Sequence, residues 1–174
     1  MVCRIDWLER DFSFEHLTIG LYPILVERLR GAPARLEDRV GALPREALTQ
    51  RDGADWSMQE HTGHLLDLEE LGMGRLDDFE AGKAVLRPAD MGNRKTNEAN
   101  HNARSIVELL DAFRLARAEF VERLESYDEA FVARTAIHPR LEKAIRAIDL
   151  AYFIAEHDDY HLTIIGELIR KFVE

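Results

Sequence analysis

With 174 residues, 46% of them hydrophobic, the chain fits one domain spanning 1–174, long enough to bury about 70% of its unfolded surface. Its formal charge of −10, from 33 acidic against 23 basic residues, repels phosphate backbones and anionic bilayers, which argues against nucleic-acid and membrane-surface partners. A lone cysteine, Cys3, leaves no internal disulfide to form, and the longest apolar stretch, LTIGLYPILV, falls short of the ~18 residues of a membrane span, so a soluble cytoplasmic protein is expected.

No stretch sustains the alternation of a strand, whereas four segments carry the helical period, so the chain reads as all-α. The first segment runs from about Phe14 to Leu43 with Leu17, Leu21, Ile24, Leu25 and Leu29 inward, and is kinked or split at Pro23 and at Gly31–Pro33. The second follows Ser57, where Glu60 three residues on makes a capping box, and puts His61, Leu65, Leu68, Gly72, Leu76 and Phe79 on one face with His64 at its edge. Trp56, just ahead of the cap, is placed to staple the helix start. The asparagine-rich stretch 82–104 has no apolar period and reads as a long ordered loop with one short helix after Thr96; His101, Asn93, Asn97 and Asn100 either line a pocket mouth there or make turns. Ser105 and Glu108 form a second capping-box pattern ahead of a helix that buries Ile106, Leu109, Leu110, Phe113, Phe120 and Leu124. After a connection holding His138, Pro139 and Arg140, Asp149 is a candidate cap for a last helix reaching about Phe172. Four amphipathic helices of this length make a bundle.

The last helix carries the chemistry. His157 and His161 are four apart and share the apolar face of Leu150, Ile154, Ile164 and Leu168, so both rings point into the core. A polar ring there must be hydrogen-bonded or must hold something. Two imidazoles at this spacing can meet one divalent transition metal at ~2.0–2.1 Å, and a third from the facing second helix, His64 or His61, would complete a triad. Three neutral ligands leave a coordination position for water or for a substrate oxygen or sulfur, the arrangement of a catalytic site. Glu60, Asp67 and Asp158 are candidates to orient the rings, and Tyr160 to donate a phenol. The HDDYH string lacks the remaining parts of a zincin, and the paired Glu-x-x-His helices of a di-iron bundle are missing. A non-catalytic bundle, in which these rings bind metal for stability or merely pack, is the competing reading.

WSMQEHTGHLLDLEE (Trp56 to Glu70), DMGNRKTNEANHN (Asp90 to Asn102) and HDDYHL (His157 to Leu162), in this order and spacing, resemble the DinB/YfiT-like superfamily. The resemblance implies a four-helix bundle with up-down-down-up connections, commonly dimeric, that binds nickel, zinc or iron through three histidines. Carried over residue by residue, it selects His64 over His61 beside His157 and His161. It implies a small-molecule substrate, acted on by a metal-dependent hydrolase or by an S-transferase that uses a low-molecular-weight thiol, and no DNA binding.

Overall fold

The structure, a computed structural model, describes residues 3–173. The first helical segment is split as its breakers dictate, into α1 (Tyr22–Arg30) and α2 (Ala32–Val40) with Gly31 at the joint. It begins later than the periodicity suggests. Pro23 sits in the first turn of α1, where its missing N–H costs nothing, so it opens the helix instead of kinking it. With that start the inward stripe is Tyr22, Leu25, Val26 and Leu29, and Ile24 is exposed. A short α3 (Arg45–Thr49) leads to α4 (Met58–Glu80), whose capping box is complete: Glu60 N–H donates to Ser57 Oγ at 3.2 Å and Ser57 N–H to Glu60 Oε2 at 2.9 Å.

The loop holds α5 (Arg94–Glu98) and a 3-10 turn at His101–Ala103, with Asn93 and Asn100 left-handed at their starts. Next comes α6 (Ile106–Glu125), which starts after Ser105 without any side-chain cap bond; the second capping box does not form. After α7 (Glu129–Val132) the all-α expectation meets an exception. β1 (Thr135–His138) pairs antiparallel with β2 (Lys143–Arg146), and Val85 of the long loop bridges to Ile137. Four-residue strands are too short to show a period of two against the background of turns. Finally α8 (Ala147–Phe172) begins two residues ahead of Asp149, which caps it from the third helical position by accepting the Arg146 N–H at 2.8 Å.

The α1–α2 pair and α4 each pack on both α6 and α8. Cross-helix bonds give the directions. Gln59 to Arg104 O (2.9 Å) and Arg123 to Met73 O (3.2 Å) advance together along α4 and α6, which are therefore parallel. Tyr22 to Leu124 O (3.0 Å) and Arg117 to Leu29 O (3.1 Å) run oppositely, so α1 is antiparallel to α6. Parallel α4 and α6 need a connection that travels back along the bundle, ~30 Å for a helix of this length, and that is why 82–104 is long.

Two apolar clusters fill the interior, one around Leu29, Leu76, Phe120 and Leu150, the other around Leu36, Leu65, Phe113 and Leu162. On α4, α6 and α8 the residues between those clusters include Glu69, Arg117 and Asp158, a buried charged layer. Among the described residues no helix is long and apolar enough to cross a membrane.

Candidate metal centre

Helix α4 delivers His64 and helix α8 delivers His157 and His161 to one point. A nitrogen from each of the three rings lies within 4.8 Å of the other two. The Nε2 atoms of His157 and His161 are 3.1 Å apart, close to the ~3.3 Å between two ligands of a tetrahedral ion with bonds of 2.0–2.1 Å. His64 and His161 are 3% and 5% exposed. Burial pushes His64 down to about 4 and holds His157 and His161 well below the usual imidazole range, with neighbouring rings adding to the effect at the latter two. The rings are thus neutral at physiological pH, the form in which imidazole offers a lone pair.

Two of the nitrogens facing away from that point, those of His64 and His161, are held. His64 Nδ1 lies 3.1 Å from Thr96 Oγ1, and that hydroxyl donates at 2.8 Å to Asp67, whose carboxylate also contacts His101 Nε2 at 2.9 Å. With the hydroxyl proton directed at Asp67, Thr96 accepts from His64 Nδ1–H and leaves Nε2 free to face the cluster. His161 Nδ1 likewise meets His61 Nδ1 at 2.9 Å. Gly63 makes room for this arrangement: a Cβ there would lie 2.2 Å from the His101 ring. An all-imidazole donor set on rigid helices, neutral and at most half-exposed to solvent at His157, fits a divalent transition ion.

Beside the three rings opens a cavity of about 270 Å³, near the lower end of small-molecule sites. Leu68, Gly72, Phe120, Phe153 and Ile154 form much of its wall. Trp7, from the segment before α1, packs edge-on against His157 at a centroid distance of 4.9 Å, and Trp56 lies tilted against His64 at 4.8 Å.

A family model for the DinB superfamily matches residues 28–165. The chain belongs to the DinB superfamily. No curated protein sequence matches it, but solved structures do. One, described as "YfiT from Bacillus subtilis is a probable metal-dependent hydrolase with an unusual four-helix bundle topology", superposes with a TM-score of 0.76 at 19% identity, covering 92% of this chain and 93% of that one. Another, a mycothiol-dependent maleylpyruvate isomerase, gives a TM-score of 0.69 at 9% identity over 90% of this chain and 64% of its own length. Identities this low establish a shared DinB fold.

Within that fold the residues singled out from sequence divide clearly. His64, His157 and His161 converge, and His61 stands behind His161. Asp67 reaches His64 through Thr96, whereas Glu60 is taken up by the capping box and by Arg51, and Asp158 by Arg117 at 2.5 Å. Tyr160 lines the cavity, tilted against Trp7 at 5.6 Å. Trp56 makes the staple contact with His61, at 5.5 Å, and its Nε1 donates to Asn97 Oδ1 at 3.0 Å. His101 is buried behind Asp67 instead of lining a pocket mouth. Sequence reasoning missed Trp7, Thr96 and Arg75 and placed His138 and Arg140 only in a connection, yet all but Thr96 line the cavity. A signal existed only for Arg75, which lies three residues after Gly72 on the inward stripe of α4.

Proposed function

We propose that the chain is a metal-dependent enzyme acting on a small molecule, in which His64, His157 and His161 hold one divalent nickel, zinc or iron ion. The observation that carries this reading is the convergence of three neutral imidazoles, two buried and that of His157 half-buried, on the wall of an otherwise largely apolar cavity. An ion bound there would supply Lewis-acid activation of a thiol or of water. The chain's own groups do the rest: Thr96 and Asp67 fix the proton on His64 Nδ1, His61 orients His161, and the two tryptophans shield the rings from solvent.

Thiol transfer is favoured over hydrolysis by the state of the carboxylates. Glu69 and Asp158 are bonded to Arg117, Asp67 to Thr96 and His101, and Glu60 to Arg51 and its own helix start. None of the four is placed as a general base for water, whereas the thiol of a low-molecular-weight cosubstrate is acidic enough to release its proton to bulk water on approach. Hydrolysis is the second reading, supported by the likeness to a structure described as a probable metal-dependent hydrolase; the likeness to a mycothiol-dependent isomerase suits the first.

Elemental analysis of protein purified without an affinity tag tests the shared core of both. One equivalent of nickel, zinc or iron per chain is expected, and its loss in His157→Ala with helicity retained. No stoichiometric metal, or unchanged content in the variant, would overturn the reading. Metal-loaded protein screened with thiols against electrophiles then separates transfer, in which the product carries the thiol, from hydrolysis.

A further inference from the structure

The hairpin brings a second set of polar groups to the same cavity. His138 is 1% exposed, and its Nδ1 accepts the Leu141 N–H at 3.3 Å, so the ring proton sits on Nε2, which is buried without a partner. Arg140 donates one terminal nitrogen to Trp7 O at 3.3 Å and lies over the rings of Trp7 and Phe153 at 5.5 and 5.3 Å; its Nε and other terminal nitrogen are buried and unpartnered. Arg75, 4% exposed on α4, uses Nε on Arg87 O at 3.2 Å.

The carboxylates nearby are already engaged. Asp78, whose charge is felt at Arg75, accepts from Arg87 and Lys83, and Glu69 and Asp158 are bonded to Arg117. Asp6 and Asp90 line the same cavity but are exposed and accept backbone N–H groups. Among the described residues neither Arg75 nor Arg140 is in an ion pair. Burial pushes Arg75 down to about 10 and, with the charges of the two arginines adding to it, His138 down to about 3, as expected of positive charge gathered in a poorly solvated place. Buried donors and charges without a protein partner are completed in proteins by ordered water or by a ligand.

We propose that Arg75, His138 and Arg140 form a subsite that holds the carboxylate of a small organic acid, the substrate or cosubstrate whose reactive end reaches His64, His157 and His161. A guanidinium fork matches the two oxygens of a carboxylate, and the His138 Nε2–H adds a neutral donor. Phe153, 4.9 Å from the His138 ring and 5.0 Å from Trp7, which itself meets His157 at 4.9 Å, links the two polar sets by apolar surface that suits a hydrocarbon spacer. The assignment rests on reading the cavity as the substrate site, but not on any ion being bound.

Calorimetry with 3-phenylpropanoate and its neutral amide, on chelator-treated full-length protein, tests it. The acid is expected to bind at least tenfold more tightly than the amide. Arg140→Gln and Arg75→Gln each weaken the acid at least tenfold and leave the amide unchanged, while Arg140→Lys, which keeps charge without the fork, loses part of the affinity. Failure to find stoichiometric metal, with this preference intact, would remove the metal reading and leave the subsite standing. Equal binding of acid and amide, no binding of the acid at millimolar concentration, unchanged acid binding in both glutamine variants, or a preference seen only after metal is added would each overturn the subsite.

Discussion

Thr96 illustrates how much a single hydroxyl decides. It sits between His64 Nδ1 at 3.1 Å and Asp67 at 2.8 Å, and without it the ring has no partner to set its tautomer. Thr96→Val keeps the shape and removes the link. A loss of about 10–100-fold in metal affinity is expected, read by competition with a chromophoric chelator, at unchanged helicity. An affinity within twofold of the parent would show that the relay has no role. A second prediction at this scale concerns pH. Burial lowers His61 and His64 from 6.5 to about 4 and His138 to about 3, so the unfolded chain takes up these protons well before the folded one does. For chelated protein the stability associated with neutral rings is complete above pH ~6.5 and is lost as pH falls from there toward 4, by on the order of 3 kcal/mol per ring across the window. Urea midpoints at pH 7 and pH 5 check this. Equal midpoints would count against it.

At the scale of elements, Arg117 ties the bundle together. From α6 it bonds Glu69 of α4, Asp158 of α8 and the Leu29 carbonyl of α1, and it is 2% exposed. Arg117→Met would leave two carboxylates buried without a cation, and a loss of about 3–5 kcal/mol is expected in urea unfolding. Adding Glu69→Gln and Asp158→Asn should recover much of it, because the stranded charges are then gone. A single variant as stable as the parent would contradict the role assigned to this layer. The position was visible in outline: Arg117 lies four after Phe113 and three before Phe120, on the buried stripe, just as Glu69 follows Leu65 by four and Asp158 follows Ile154 by four. What the period could not convey is that these three charges meet one another. The strands of the hairpin, by contrast, left no mark, since Thr135–His138 and Lys143–Arg146 gain their order from pairing.

For the whole molecule, a site formed by residues nearly a hundred positions apart couples ligand binding to folding. A metal that binds the folded chain alone should stabilise it by about 2.7 kcal/mol at a free concentration a hundred times Kd, seen as a rise in Tm that His161→Ala abolishes. Metal-independent melting would speak against a preformed site. Local chemistry in the sequence determined the helices, the cap at Ser57, the split at Gly31 and the inward aim of His157 and His161, because period and caps act within a few residues. Tertiary structure alone decided that His61 stands behind the cluster, that Trp7 closes over it, and that Arg75, His138 and Arg140 share the cavity with it. Those side chains come from a terminal segment, a helix and a hairpin turn, and no local rule records how such pieces will be set against one another; only the packing of the whole chain does.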